Sequence, residues 1–347
     1  MSFQITIQPS QHQFPADPDK SVLDAALAAG ILLPYSCRSG ACSTCKARVV
    51  SGTVEAGNTA AQILTPEEIH EGFTLLCQAR ATSDLVIESK EIRLASDIQI
   101  RKLPSRVTSI SRPTTDVAVL QLQLPATESF RFYAGQYVEI ILKDGKRRSY
   151  SMANPPHSAA ALELHVRHLP GGLFTDHVFG VGATQMKERE ILRVEGPFGS
   201  FFLREDSDLP IVMVASGTGF APIKAIVEHM SHQNIHRPVT LYWGGRRPAD
   251  LYMNALAKQW AQSIPDFTYI PVVSDALPED AWTGRTGFVH RAVMDDFPSL
   301  MGHQVYACGA PIVVESARRE FVAQCGLPDE AFFADSFTSA ADIAAVK

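Results

Sequence analysis

The sequence lacks an excess of basic residues: across 347 residues, 37 Asp and Glu outnumber 31 Lys and Arg, which gives a formal net charge of −6. Because such a chain has no basic field to attract phosphate backbones, a nucleic-acid partner is not expected. Long apolar runs are also missing. One of the longest, "LPIVMVASG", is about half the length that crosses a bilayer, so the sequence predicts no transmembrane segment.

The amino terminus lacks the basic start and apolar stretch of a signal peptide. Its residues, "MSFQITIQPS", instead alternate between apolar and polar, which predicts a β-strand and a cytoplasmic protein. Cysteine is scarce, with six in the chain, and in a reducing cytosol these are expected to be ligands or buried thiols rather than disulfides. With 46% apolar and 20% charged residues, the chain can form two or three globular domains.

Three of the six cysteines are concentrated in one stretch, "YSCRSGACSTC". The spacing is Cys37-x4-Cys42-x2-Cys45, and Cys77 follows after 31 residues. This is the plant-type pattern for a [2Fe–2S] cluster, which takes four thiolates. Gly40 and the small residues around it would let the backbone wrap the metal ions. A structural zinc site and unrelated buried thiols are the alternatives, although zinc more often shows two matched C-x2-C pairs.

Short elements are predicted on either side of these cysteines. "VLDAALAAG" predicts a helix that Ser21 caps and Gly30 ends. "KARVVSGTVEAG" predicts a hairpin with Gly52 at its turn. A second short helix is predicted to start at Thr65 and to stop at Gly72.

The middle of the chain changes to alternating strands after a linker that has Ser96 and Asp97 near its boundary. The segments "VAVLQLQLP", "QYVEIILKDG" and "LELHVRHLP" have turn signals at Asp144-Gly145 and Gly171-Gly172. Strands at this spacing predict an antiparallel barrel.

The last third of the chain alternates between strands and helices. From Pro210, the segments "IVMVA", "SGTGFAPIKAIVEHM", "VTLYWGG" and "QVYACGAP" predict an α/β unit. Gly217 and Gly219, with Pro222 at the start of the helix, form the kind of turn that cradles a phosphate. The turn is not a complete G-x-G-x-x-G fingerprint, and a purely geometric turn is the alternative. Cys325 is expected to be a buried packing thiol.

Six segments, in order, give a family resemblance. "AGQYV" at 134–138, "RSYS" at 148–151 and "HVRHLPGGLFT" at 165–175 resemble the flavin domain of the ferredoxin–NADP reductase family. "GTGxxP", "YWGGRRPADL" and "ACGAP" resemble the nicotinamide domain of the same family. With the cysteine segment, the resemblance covers residues 1–338. It is closest to the CDP-6-deoxy-delta-3,4-glucoseen reductase-like proteins, which are neighbours of the reductase components of phenol, methane and benzoate oxygenases.

The resemblance implies FAD in the barrel. Arg148 would hold the pyrophosphate as a planar two-pronged donor, Tyr150 would stack on the isoalloxazine, and Ser151 would lie near its reactive nitrogen. His165 and His168, in the same region, are expected to be ordinary strand residues. The implied FAD-binding residues are Arg148, Tyr150, Ser151, Val166, Gly171, Gly172 and Thr175, the last as the cap of the helix "TDHVFG".

The resemblance also implies a nicotinamide site. Thr218 and Cys308 would lie beside the nicotinamide, with a plain buried thiol as the alternative for Cys308. Arg246 and Arg247 would suit a 2′-phosphate, but similar arginines occur in relatives that prefer NADH, so NADH is expected and NADPH is possible. Phe337 would lie near the flavin or pack in the core. The implied nucleotide-binding residues are Gly217, Thr218, Gly219, Pro222, Arg246, Arg247, Cys308 and Gly309, and the implied catalytic residues are Ser151, Thr218 and Cys308.

Together these features predict a multidomain α+β protein. It would contain a β-grasp [2Fe–2S] ferredoxin domain over 1–95, an antiparallel β-barrel FAD domain over 103–205 and an α/β, Rossmann-like nicotinamide domain over 208–338. The expected function is a reductase that passes electrons from NADH through FAD and the cluster to a protein acceptor, an oxygenase or deoxysugar dehydrase component. A free-standing flavin, quinone or small-acceptor reductase is the alternative.

Overall fold

Three main sheets follow one another along the chain. The computed structural model describes residues 2–59, 63–89, 91–94, 98–158, 160–182, 184–339 and 342. The predicted boundary at Ser96 and Asp97, and residue 95 at the predicted end of the first domain, lie outside the described residues. The three sheets form the three units of the predicted multidomain α+β fold.

The first unit is a small sheet folded around one helix. Its elements are β1 (Phe3–Gln8), β2 (Gln13–Ala16), α1 (Val22–Ala28), β3 (Ile31–Leu32), β4 (Lys46–Ser51), β5 (Val54–Glu55), α2 (Pro66–His70), β6 (Phe73–Leu75), β7 (Arg80–Ala81), β8 (Leu85–Glu88) and β9 (Arg93–Leu94). The main sheet has the order β2-β1-β8-β4-β6, with β1 and β8 parallel. Val22, Leu23 and Ala26 of α1 are fully buried against it. This is the predicted β-grasp fold.

Both helix predictions in this unit are confirmed, and the hairpin prediction is wrong. The Ser21 Oγ accepts the Asp24 N–H at 3.1 Å at the start of α1, and Thr65 and Glu68 form a capping box at the start of α2. The strands on either side of Gly52 do not pair with each other, because β4 pairs with β6 and β8, and β5 pairs with β7. With a neighbour on both of its edges, β4 has no edge left for β5.

The second unit is a six-stranded antiparallel barrel. Its elements are β10 (Arg101–Ser111), β11 (Val117–Gln123), β12 (Tyr137–Ile141), β13 (Arg147–Ser151), β14 (Ala161–Arg167), α3 (Leu173–Phe179) and β15 (Ile191–Phe198). The strand order is β13-β12-β15-β10-β11-β14, and a bridge between Met152 and Leu164 joins the two ends. The predicted turn at Asp144-Gly145 connects β12 to β13, with Gly145 at a φ of +81°. The predicted barrel is confirmed.

The predicted cap of the helix after the barrel strand is wrong. Helix α3 begins at Leu173, and its N-cap is Gly172, in an extended conformation. Thr175 lies inside the first turn, where its Oγ1 donates to the carbonyl oxygen of Leu169 at 2.8 Å. Gly171, at a φ of +81°, reverses the chain just before this point. The reversal lets the helix start earlier than a threonine cap would allow.

The third unit is a parallel sheet with helices on both faces. Its elements are β16 (Ile211–Ser216), α4 (Phe220–Gln233), β17 (Val239–Gly245), α5 (Asn254–Ser263), β18 (Phe267–Val273), β19 (Arg285–Thr286), α6 (Val289–Asp296), β20 (Gln304–Gly309), α7 (Pro311–Cys325) and β21 (Phe332–Ser336). The order is β19-β18-β17-β16-β20-β21. The strand order reverses at β16, so a crevice forms at its carboxyl end, where such folds bind ligands. Cys325 is buried, as predicted.

The units share side chains where they meet. Tyr137 and Phe198 of the barrel belong to the buried core of the first unit, with their ring centroids 5.7 Å apart. Between the barrel and the third unit, Arg167 donates to Asp250 at 2.6 Å. In the described part of the chain, no helix has the length and apolar character to cross a bilayer.

Candidate functional site

Four thiols lie together at one end of the first unit. Three are on the loop between β3 and β4, the cysteine loop, and the fourth follows β6; they are Cys37, Cys42, Cys45 and Cys77. The loop is tightly wrapped because Arg38 and Gly40 both take positive φ angles, +56° and +78°. Glycine adopts this conformation without strain, which suits Gly40 to its position.

The thiols form two pairs. Cys42 donates to Cys37, with the Sγ atoms 3.0 Å apart, and Cys45 and Cys77 form a second hydrogen-bonded pair. The hydrogen bond from Cys42 lowers the pKa of Cys37 to about 6, and the one from Cys45 lowers the pKa of Cys77. Each pair therefore favours one thiolate, the form of cysteine that binds metal.

This arrangement fits two metal ions better than one. Two irons with two thiolates each would match the two pairs. A single zinc ion needs its ligands around one point, whereas the spacing Cys37-x4-Cys42-x2-Cys45 with a distant Cys77 is the plant-type [2Fe–2S] pattern. The donor set is therefore suited to a [2Fe–2S] cluster.

A cleft gives solvent access to the cysteines. Its volume is about 530 Å³, and Cys37 and Cys77 line it on the side of the first unit. The opposite wall is the outer face of the barrel, with Arg147 and Phe198. Arg38 lies between the two walls, with its guanidinium carbon 5.5 Å from the ring centroid of Phe198.

Strand β13 carries three predicted FAD residues. Arg148 and Tyr150 point to one face and Ser151 to the other, because side chains alternate along a strand. The ring of Tyr150 lies 5.4 Å from that of Phe174, which places β13 beside the start of α3. The half-buried Arg148 donates to the carbonyl oxygen of Arg147 at 2.8 Å. Strand β13 and the start of α3, which both carry predicted FAD residues, thus lie next to each other.

The remaining predicted FAD residues lie near α3 and in the barrel core. A Cβ on Gly172 would meet Thr175 Oγ1 at 2.6 Å, so this position has room for glycine only. Gly171 has open space around its Cβ position. The side chain of Val166 is fully buried and belongs to the barrel core.

The predicted nucleotide residues meet where β16 and β20 end. A Cβ on Gly219 would lie 2.1 Å from the carbonyl oxygen of Cys308, and a Cβ on Gly309 would lie 2.5 Å from the carbonyl oxygen of Ser216. The two loops therefore touch backbone to backbone. Trp243 of β17 holds the turn in place, since its Nε1 donates to the carbonyl oxygen of Gly217 at 3.0 Å.

The neighbouring predicted residues lie around this contact. Thr218 is in the turn itself, and Pro222 is buried in the first turn of α4. Phe337 follows β21, and its N–H donates to the carbonyl oxygen of Gly309 at 2.8 Å. Burial raises the pKa of Cys308 well above its usual value, so this residue is a neutral thiol.

Comparisons with known proteins agree with the three units. Three family models match: a 2Fe-2S iron-sulfur cluster binding domain at 5–82, an oxidoreductase FAD-binding domain at 104–203 and an oxidoreductase NAD-binding domain at 213–319. The CDP-6-deoxy-L-threo-D-glycero-4-hexulose-3-dehydrase reductase of Yersinia pseudotuberculosis is 40% identical over 97% of this chain and 99% of its own. Reductase component 1 of the Comamonas terephthalate 1,2-dioxygenase is 40% identical over 98% of each chain.

Among solved structures, the Amycolatopsis cytochrome P450 reductase GcoB matches with a TM-score of 0.76 and 33% identity, over 97% of this chain and 99% of its own. The chain belongs to the ferredoxin–NADP reductase-like family of oxygenase reductases. The reductase is an NAD(P)H-dependent iron–sulfur flavoprotein that transfers electrons through FAD and a [2Fe–2S] cluster to a protein acceptor.

The two predicted phosphate-binding arginines of the reductase have different surroundings. Arg247 makes two bonds to Asp280, at 2.8 Å and 3.0 Å, and Glu279 lies 3.8 Å away. Arg246 is exposed. The backbone N–H groups of both arginines are held by Asp250, at 2.8 Å and 2.9 Å. Arg247 is thus paired with carboxylates, whereas Arg246 is exposed.

Sequence reasoning missed a buried carboxylate at the centre of the reductase. Asp335 on β21 is 5% exposed and accepts hydrogen bonds from Ser36 and Ser151, at 2.7 Å and 3.0 Å. Burial raises its pKa to about 6. The available signal was a single acidic residue in the stretch "FFADSF", whose other residues, apart from Ser336, are apolar.

Sequence reasoning also missed the contacts of His165. Its Nε2 lies 2.8 Å from Glu163, and its Nδ1 lies 2.7 Å from the hydroxyl of Tyr252 in the third unit. Burial lowers the pKa of His165, so the imidazole is neutral. His165 is a strand residue, as predicted, but it also joins the barrel to the nucleotide unit. For His168 the strand prediction is wrong, because β14 ends at Arg167; His168 lies just beyond it and pairs with Asp176 at 2.9 Å.

Proposed function

We propose that the reductase prefers NADH to NADPH and delivers electrons to an oxygenase or deoxysugar dehydrase component. The acceptor class is supported by two relatives that align along almost their whole length, one named as a dehydrase reductase and one as a dioxygenase reductase component. The nucleotide preference is supported by the surroundings of Arg247.

The observation that carries the NADH preference is the double hydrogen bond between Arg247 and Asp280. A 2′-phosphate that used this guanidinium would have to displace Asp280 and would then lie beside two carboxylates. Glu279 and Asp275 also act on Arg247 electrostatically. Because like charges repel, this acidic environment disfavours the additional phosphate of NADPH.

We propose the following residues for each electron-carrying group. Arg148 would hold the FAD pyrophosphate, Tyr150 would stack on the isoalloxazine, and Ser151 would lie beside its reactive edge. Bound FAD accepts two electrons from the nicotinamide and releases them singly. The further FAD and nucleotide candidates are Val166, Gly171, Gly172, Thr175, Gly217, Thr218, Gly219, Pro222, Arg246, Arg247, Cys308, Gly309 and Phe337.

The nicotinamide would lie where the tips of β16 and β20 touch. Thr218 and Cys308 would border it, and the neutral thiol of Cys308 would present no charge to the incoming ring. The glycines of the turn carry no side chains, so the backbone of the turn could approach the diphosphate closely. At the other end of the route, the four cysteines would hold the cluster.

The domain boundaries 1–95, 103–205 and 208–338 remain proposals. They are supported by the three main sheets, of which the second begins at Arg101 with β10 and the third at Ile211 with β16. We also propose a cytoplasmic location. Thiols that serve as cluster ligands need a reducing compartment, and the six cysteines are free of disulfides.

The test of this routing is Cys42→Ser, with Cys325→Ser as the matched buried-thiol control. Cys42→Ser should lose iron, because serine is a harder and more basic ligand than thiolate. NADH should still reduce the FAD and consume ferricyanide, whereas cytochrome c or the natural protein acceptor should be reduced far more slowly. Cys325→Ser should leave both activities intact.

An iron-free Cys42→Ser variant that reduces the protein acceptor at the normal rate would contradict the routing. In that case the flavin itself would deliver electrons to the acceptor, and the first unit would have another purpose.

A further inference from the structure

Ser36, the residue before Cys37, contacts both other units of the chain. Its Oγ donates to Asp335 Oδ1 at 2.7 Å and accepts the N–H of Ser336 at 3.0 Å, both in the nucleotide unit. Its carbonyl oxygen accepts the hydroxyl of Tyr137, from the barrel, at 3.1 Å. Ser36 is only 3% exposed, so water competes little for these bonds.

Asp335 extends the contact to the barrel. Its other oxygen, Oδ2, accepts the hydroxyl of Ser151 at 3.0 Å. A buried carboxylate requires such partners, and hydrogen bonds to an ionised group are the stronger kind. A continuous chain of bonds therefore runs from Ser151 through Asp335 to Ser36, and from there along the backbone to Cys37.

The cysteine loop has a second contact with the nucleotide unit that does not lie on this route. The N–H and Oγ of Ser43 donate to Glu315 on α7, at 3.1 Å and 2.7 Å. Ser43 is 5% exposed, almost as buried as Ser36. It provides an internal comparison, because it fixes the same loop to the same unit through a different carboxylate.

We propose that Ser36 is a positioning residue: through Asp335 it holds the cysteine loop against Ser151, and this bridge sets the rate of electron transfer from flavin to cluster. The inference rests on the proposed function, in which Ser151 borders the FAD and the four cysteines hold the cluster. NADH supplies two electrons to the flavin, and each transfer oxidises the flavin by one electron and reduces the cluster by one.

Removing the bridge should slow this transfer selectively. Electron transfer slows as the distance between donor and acceptor grows, so releasing the cysteine loop from Asp335 should slow the step from flavin to cluster. Ser36 binds Asp335 and Ser336 on β21, the strand beside β20, and the proposed NADH position is at the tips of β16 and β20. Flavin reduction should therefore be affected less than cluster reduction.

The test compares Ser36→Ala with Ser43→Ala in the full-length protein carrying FAD and iron. Stopped-flow absorbance follows flavin reduction by NADH, and freeze-quenched electron paramagnetic resonance follows the reduced cluster. In Ser36→Ala, flavin reduction should stay within about twofold of wild type and cluster reduction should slow about tenfold. Ser43→Ala should leave both steps within about twofold. Unchanged cluster reduction in Ser36→Ala, or equal slowing in both variants, overturns the proposal.

A second measurement does not depend on turnover. The Ser336 N–H donates to Ser36 Oγ, so its amide should exchange with deuterium about fivefold faster in Ser36→Ala and at the wild-type rate in Ser43→Ala. If Ser36→Ala retains no iron, the exchange is measured on protein loaded with FAD alone. Unchanged exchange at Ser336 overturns the bridge.

Asp335→Asn serves as a second variant, because it keeps the shape and one acceptor of the side chain. It should slow cluster reduction more than flavin reduction, and equal slowing of the two steps contradicts the bridge. A wild-type protein whose cluster is not reduced by NADH overturns the proposed function instead. These two failures are therefore distinguishable.

Discussion

Replacing Gly219 by Ala should damage the nucleotide unit more than any ordinary glycine substitution. The new Cβ would lie 2.1 Å from the carbonyl oxygen and 2.5 Å from the carbonyl carbon of Cys308. These are backbone atoms of β20, which is paired on both edges with β16 and β21. Because β20 is held on both edges and cannot move alone, the turn that carries residue 219 must shift by about 1 Å to restore a normal distance to Cys308.

The magnitude follows from this overlap. Overpacking in a core costs about 1–3 kcal/mol, and an overlap with fixed backbone belongs at the upper end, about 3 kcal/mol. At roughly 3 °C per kcal/mol for a unit of this size, the melting temperature should fall by about 10 °C. Flavin reduction by NADH should slow by about tenfold or more, because the turn and Cys308 border the proposed nicotinamide position.

Tryptophan fluorescence is the suitable assay. The three tryptophans of the chain, Trp243, Trp260 and Trp282, all lie in the nucleotide unit, so their signal follows the unfolding of that unit. Gly302→Ala is the matched control. Gly302 has a φ of +80° and no atom within 4 Å of its Cβ position. Gly302→Ala should therefore lose only about 1–2 kcal/mol of unfolding free energy, from backbone strain, and should keep normal flavin reduction. A Gly219→Ala variant that melts within about 2 °C of wild type, with normal flavin reduction, would refute the reasoning.

Three further substitutions test individual assignments. Arg148→Ala should weaken FAD binding roughly tenfold or more, since it removes a charge-assisted donor. Fluorescence titration measures the affinity, and Arg147→Ala, on the opposite face of β13, is the control. Unchanged affinity in Arg148→Ala would show that "RSYS" does not bind the pyrophosphate. Cys308→Ser should slow flavin reduction about tenfold while FAD content stays intact, and a wild-type stopped-flow rate would return Cys308 to a structural role. Wild type should have the higher kcat/KM with NADH, and Asp280→Asn should raise kcat/KM for NADPH up to about fivefold by releasing Arg247; a wild-type NADPH preference that disappears in Arg246→Ala would contradict this.

Signals confined to a few neighbouring residues predicted the fold well. The caps at Ser21 and Thr65 act within one helical turn, and both helices begin where these residues indicate. The cysteine spacing also held: Cys37 and Cys42 lie in contact. The hairpin around Gly52 failed for the opposite reason, because strand pairing depends on which edges other strands already occupy.

The candidate site was predictable only in part, because its decisive contacts are far apart in sequence. Ser36 and Asp335 are separated by 299 positions, and no local pattern marks their hydrogen bond. The Thr175 cap failed because Gly171 reverses the chain earlier than the threonine suggests. The two hydrogen bonds between Arg247 and Asp280 likewise join loops that are 33 positions apart in sequence.

The sharing of Tyr137 and Phe198 between the first unit and the barrel has a consequence for how such reductases can be recombined. A ferredoxin segment cut at its sequence boundary would expose part of its own apolar core and would leave two aromatic rings uncovered on the donor barrel. A chimera between two relatives must therefore exchange the matching surfaces of β12 and β15 together with the cysteine-bearing segment. The part that must be exchanged as one piece is therefore larger than the segment that carries the metal ligands, because it includes residues of the barrel sheet.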